Sequence, residues 1–261
     1  MLNGLVRAEN KSLVTGYHLV QGWAKERHLY FAARYSRPFD DFGIMNGGNK
    51  VIYNTARFRS RYESAGTDLQ YYTQYSTGEN EVIMVKIGIS PISTENALKN
   101  LDAEIPGWNF DKVVADTRSK WNREMEKMTI EGSEEEKETF YTSLYHSLLT
   151  PTLYQDVDGY YRGLDQNIRK AKGFTNYAVF SLWDTYRATH PLFNLIQPSR
   201  NADMINSMLA HYDQSVEKLL PVWSLNNNET WCMIGYHAVP VIADAIMQGV
   251  KGFDYEKAYQ A

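Results

Sequence analysis

The chain has 261 residues, of which 43% are apolar, 22% charged and 13% aromatic, the composition of a folded globular protein rather than a disordered one. Its formal net charge is -4, from 27 Lys and Arg against 31 Asp and Glu. That balance argues against a function resting mainly on neutralised phosphates, nucleic-acid binding first among them.

No apolar run approaches the ~18 residues of a membrane span. The lone Cys232 allows no internal disulfide, so the core must hold the fold. At roughly 150 residues per domain, the length suits one large or two small domains. The opening MLNGLVRAEN lacks the apolar stretch of a signal peptide, and a strand-like pattern begins in it almost at once. The closing DYEKAYQA reads as a helix barely started, so both ends are expected to be cut.

Up to about residue 92 the pattern has a period of two. GYHLVQGWA, HLYFAARYS, KVIYN, LQYYTQY and VIMVKIGIS are β-branched and aromatic, with turn clusters such as DDFG and MNGGN between strands. They predict antiparallel strands of a β-sandwich. At Ser93 the pattern changes: Ser93 or Thr94 caps a helix through Glu104, which Pro106 and Gly107 stop. Phe110, Val113, Val114, Thr117, Trp121, Met125 and Met128 then form one apolar stripe on a helix of roughly five turns. Ser133 and Glu136 make a capping box for a helix carrying Phe140, Leu144 and Leu148, with Pro151 beyond its end. A hairpin-like stretch around Asp158-Gly159 precedes helical patterns near 182–196, 200–215 and 231–249. The expected organisation is a β domain over 1–92, a helical linker over 93–132, and the opening part of a helical domain over 133–261.

Two segments could carry chemistry. In Ser181-Leu-Trp-Asp-Thr-Tyr-Arg187, helical spacing would put Asp184 and Arg187 on one face beside Trp183. An indole next to a carboxylate and a guanidinium suits a sugar, whose C–H face stacks while its hydroxyls take charge-assisted hydrogen bonds. The plainer alternative is an Asp capping a helix start, paired with Arg one turn on, and a core Trp. In the second segment, Asn226 to His237, three amides, Glu229, Thr230 and Trp231 stand before an apolar helix. Polar groups there can converge on a ligand, and equally the segment is an Asn-rich turn with Thr230 as helix cap. His237 alone reads either as a ligand or as a hydrogen-bonded core residue. The six histidines show no metal-site spacing, and there is no nucleophile elbow, dinucleotide fingerprint or phosphate-binding loop.

SLWDTYRATHPLFNLIQP and NETWCMIGYHAVPVIADA resemble motifs of family 92 of the glycoside hydrolases, the α-mannosidases. GYHLVQGWA, HLYFAARYSRPF, VIMVKIGISPISTENALKNLDAEIPGWNFDKV and FYTSLYHSLLTPTLYQDVDGYYRG resemble the same family in the same order, so nearly the whole chain is covered. The resemblance implies a β-sandwich followed by the first part of an (α/α)₆ toroid. It implies calcium-dependent, exo-acting, inverting hydrolysis of terminal α-linked mannose, with α-1,2 linkages the expected preference, in a periplasmic or secreted enzyme acting on mannose-containing glycans.

Inversion needs a general acid and a separate general base. Family members are far longer, and their acid, base and calcium-binding motifs lie downstream of the matching region, with no counterpart found here. The resemblance therefore assigns no catalytic residue and no metal ligand to this chain. It points instead to sugar binding by Trp183, Asp184, Arg187, Glu229, Trp231 and His237. A non-catalytic carbohydrate-binding protein is the alternative reading. Apolar helix faces left open are expected to favour self-association.

Overall fold

The computed structural model describes residues 2–52 and 62–261. The chain divides into two compact units, Met1–Trp108 with Asp156–Asp158, and Asn109–Gln155 with Gly159–Ala261.

The first unit begins with β1 (Asn3–Asn10), β2 (Leu13–Val20), β3 (Arg27–Tyr35), β4 (Asp41–Asn46) and β5 (Asn49–Lys50). After the undescribed stretch come β6 (Glu63–Gly66), β7 (Leu69–Gln74) and β8 (Val85–Ser90). Among the described residues these form two sheets, in the orders β6-β1-β2-β3-β8 and β5-β4-β7, with every pairing antiparallel. Alternation builds the core: Val6, Ala8 and Val14 from the larger sheet meet Phe42 and Ile44 from the smaller, with Phe31, Tyr35 and Tyr71 packed around them. Full burial of each large apolar side chain there is worth roughly 1.5–3 kcal/mol.

One expectation fails here. DDFG is not a turn between strands, because Asp41, Phe42 and Gly43 open β4. Two adjacent acidic residues suggested a loop, yet Phe42 and Ile44 alternate into the core and decide the matter. Of the expected strand KVIYN, Lys50 ends β5 while Tyr53 and Asn54 lie outside the described residues.

A helix, α1 (Thr94–Glu104), packs on β8 and β3 and belongs with the sheets. Ser93 caps it through the Asn96 N–H, as expected. The approach is close enough that a Cβ on Gly88 would lie 2.1 Å from the Ala97 carbonyl oxygen. Lys86, buried on the same face, donates to the Ile105 and Pro106 carbonyls at 2.6 and 3.3 Å and lies over the Trp108 ring. It thereby supplies the positive charge that helix C-terminal carbonyls favour.

In the second unit, α2 (Phe110–Met125) is capped by Asn109, and α3 (Glu134–Ser147) by the Ser133–Glu136 capping box. Trp121 of α2 meets Tyr145 of α3 at 4.6 Å. Short strands follow: β9 (Thr152–Leu153), β10 (Tyr160–Arg162), β11 (Ile168–Lys170), β12 (Tyr177–Ala178) and β13 (Phe180–Ser181). Asp158-Gly159 leads into the β10-β11 hairpin, whose turn lies between Arg162 and Ile168.

The expected helix near 182–196 is broken into α4 (Leu182–Thr185) and α5 (Thr189–Ile196). After α6 (Pro198–Gln214) come β14 (Trp223–Leu225), β15 (Asn228–Glu229), α7 (Ala238–Met247) and α8 (Tyr255–Gln260). The helix expected from 231 therefore starts only at Ala238. Trp231, Met233 and Gly235 all have positive φ, which no right-handed helix accommodates. The core joins Leu182, Phe193, Met204, Ile205, Met208 and Val241.

Candidate functional site

The two segments singled out from the sequence meet in a small sheet. Phe180 pairs with Ser224 and Ser181 with Trp223, while Leu225 pairs with Asn228 across the turn at Asn226 and Asn227. Both turn residues have positive φ, the conformation that tight hairpins require and that Asn tolerates. The Asn-rich run is thus a hairpin turn, not the approach to a helix. Thr230 caps no helix either: its hydroxyl donates to the Trp223 carbonyl at 2.8 Å.

From β13 the chain turns directly into α4. Leu182 is fully buried and anchors the turn, leaving Trp183 half-buried and Asp184 and Arg187 exposed. Asp184 accepts a hydrogen bond from the Ser181 hydroxyl at 2.6 Å. Among the described residues no ion pair joins Asp184 to Arg187, since the helix ends before Arg187. The guanidinium instead lies 5.1 Å from the Trp183 ring centre and 5.0 Å from that of Tyr186, within cation–π range.

His237 completes this cluster from the other segment. Its imidazole lies parallel to the Tyr186 ring, 4.2 Å away at 4°, and meets Trp183 edge-on at 5.3 Å and 61°. The structure therefore brings Trp183, Arg187 and His237 together and adds Tyr186, which the sequence reading passed over. Tyr186 stands three residues after Trp183, a spacing that could have drawn attention to it.

Glu229 faces its own loop. One carboxylate oxygen accepts from the Trp223 and Trp231 N–H groups at 3.0 and 2.9 Å, and the other from the Val222 N–H at 2.9 Å. Its side chain is only 8% exposed, so its direct effect is to fix the backbone of Trp231, whose side chain is half-exposed. Among the described residues, no three His, Cys, Asp or Glu side chains gather as a metal site. No helix among the described residues is long and apolar enough to cross a membrane.

Residues 96–261 match the glycosyl hydrolase family 92 catalytic domain, and residues 1–90 match the N-terminal domain of the same family. The structure superposes on the family GH92 α-mannosidase BT3965 of Bacteroides thetaiotaomicron with a TM-score of 0.95 and 52% identity, over 99% of this chain and 35% of that one. That relative has also been solved in complex with mannoimidazole. The GH92 inverting mannosidase BT2199 of the same organism matches with a TM-score of 0.87 and 27% identity, over 99% of this chain and 35% of its own.

An uncharacterized secreted glycosidase of Arthroderma benhamiae is 32% identical over 110 residues, which is 40% of this chain and 14% of that protein. The chain thus spans about a third of the length of the solved relatives. The β-sheets followed by helices, and the two domain matches that fall on them in order, agree throughout. The chain belongs to glycosyl hydrolase family 92.

Proposed function

We propose that this chain forms part of the mannose pocket of a calcium-dependent α-mannosidase, one that releases terminal α-linked mannose with inversion and prefers α-1,2 linkages. The observation that supports this best is the cluster of Trp183, Tyr186, Arg187 and His237, which unites two distant segments and stands beside the exposed Asp184. Trp183 and Trp231 offer indole faces for the C–H surface of a pyranose. Asp184 and Arg187 bind its hydroxyls with charge-assisted hydrogen bonds. His237 adds a ring nitrogen, and Glu229 acts through Trp231 by holding that residue's backbone.

Inverting hydrolysis requires two carboxyl groups about 6.5–9.5 Å apart, one protonating the leaving oxygen and one activating water. We assign neither to this chain. Calcium, which in this reading helps orient the sugar, is held by residues of the family outside this chain. The sheets over 1–92, the linker over 93–132, whose first helix α1 packs on those sheets, and the helices over 133–261 are in this reading a sandwich, a connector and the first part of an (α/α)₆ toroid. The secreted relative supports a periplasmic or secreted location.

The test is calorimetry with mannose alongside an aryl α-mannoside assay with calcium. We expect mannose binding that is lost in Trp183→Ala and in Arg187→Ala, and no turnover by the chain itself. Hydrolysis by this chain would overturn the assignment of the carboxylates elsewhere, and absence of mannose binding would overturn the pocket.

A further inference from the structure

We infer that Tyr186 is a positioning residue for His237, with Gly235 as the second half of a clamp on the imidazole; this rests on the sugar-binding reading above. Tyr186 lies flat against the ring at 4.2 Å, and Trp183 meets it edge-on at 5.3 Å. The two contacts fix different things: the stack sets the plane of the imidazole, and the edge contact limits its sliding. Arg187 lies over both aromatic rings and holds them as a pair.

Gly235 closes the remaining edge. A Cβ there would lie 2.3 Å from His237 Nε2, and its φ of +90° disfavours any side chain. Nε2 is buried and has no hydrogen-bond partner among the described residues. Buried polar atoms are nearly always paired, so an orphan nitrogen beside a cluster of aromatic and charged groups calls for a partner.

A sugar hydroxyl fits, because it donates or accepts and so serves either imidazole tautomer. Without Tyr186, the ring is free to turn away from the hydroxyl.

The test follows the imidazole protons of His237 by NMR during a mannose titration, with calorimetry in parallel. In Tyr186→Ala the His237 resonances of the unliganded protein should move, since the ring current of the stack is gone. Mannose affinity should fall about three- to tenfold, the range of one aromatic stacking contact. Tyr186→Phe should restore both, and Gly235→Ala, whose Cβ pushes on the imidazole, should weaken binding and also move the His237 resonances. Where Tyr186→Ala does not fold, Tyr186→Leu, which fills the volume without a ring, reads the same quantities.

Asp184→Ala separates the inference from its parent reading: it should lose mannose while the His237 resonances stay in place. A wild type that binds mannose but is indifferent to Tyr186→Ala overturns the clamp alone. A wild type that binds no mannose overturns the sugar reading and the clamp with it.

Discussion

His211 Nε2 lies 3.7 Å from Glu229 Oε2, with both side chains less than a tenth exposed. The pair is not an ion pair at neutral pH. Burial lowers the imidazole to about 4, so His211 is uncharged there. Glu229 needs no cation beside it, because three backbone N–H groups already satisfy its oxygens.

A pH dependence follows, reinforced by His190. That residue is fully buried, is also lowered to about 4 by burial, and shares a 2.8 Å hydrogen bond with Asn201. Both rings take up a proton near 6.5 when unfolded and only near 4 when folded. Between those values the unfolded chain binds more protons, so stability is full above pH 6.5 and falls as pH drops towards 4. Each histidine should contribute on the order of 3 kcal/mol to that fall. Urea unfolding at pH 7, 5.5 and 4.5 should show it, with a shallower slope in His211→Gln. An unchanged slope in that variant would mean that His211 is not the group responsible.

Asp156 anchors the short return of the chain to the first unit. It is 2% exposed and accepts from the Ser90 hydroxyl and from the Asn96 and Asn100 amides, at 2.7, 2.8 and 2.7 Å. Replacing it with Ala strands three buried donors, and we expect about 3 kcal/mol of lost stability in denaturant titration. Asp156→Asn keeps one acceptor oxygen and should lose less. Equal losses in the two variants would show that packing, not hydrogen bonding, holds the segment.

Much of the fold was legible because local signals and tertiary packing agree. Ser93, Ser133 and Glu136 announced helix starts by capping chemistry that is complete within a few residues. β4 was hidden, since Asp40 and Asp41 carry a turn signal while the core contacts of Phe42 and Ile44 come from distant strands. The late start of α7 was hidden for a related reason. Nothing in the apolar spacing of 231–237 shows that Trp231 and Met233 take left-handed conformations.

At the site, spacing drew attention to Trp183, Asp184 and Arg187, and the plainer alternative of an Asp184–Arg187 pair does not hold, because the helix ends at Thr185. The Tyr186–His237 stack joins residues about fifty positions apart and has no local signature.

Glu229 makes a sharper distinction between holding a loop and touching a sugar. Glu229→Ala should destabilise the protein by about 2–4 kcal/mol, since three N–H groups lose a charged acceptor. Amide hydrogen exchange should accelerate at Val222, Trp223 and Trp231 in particular. If those three amides stay protected while mannose binding vanishes, Glu229 acts on the sugar directly and its loop role is secondary.

The face of α2 predicts association between molecules. No residue of this helix is fully buried, and Phe110, Val113 and Val114 are 70%, 36% and 45% exposed. Their spacing places them on one side, so they form a stripe and not scattered contacts. Contiguous exposed apolar surface of this kind favours self-association, with a gain of roughly 25 cal/mol for each Å² removed from water.

The charged residues of the helix do not prevent it, since Lys112, Arg118, Lys120 and Arg123 stand against Asp111, Asp116 and Glu124 and nearly cancel, Lys112 pairing with Asp116 at 2.6 Å. Sedimentation should therefore show a mass that rises with protein concentration. Phe110→Asp should shift the distribution towards monomer, while an exposed substitution away from the stripe, Ser119→Asp, should not. Equal shifts in both variants would trace the association to net charge instead of to this face.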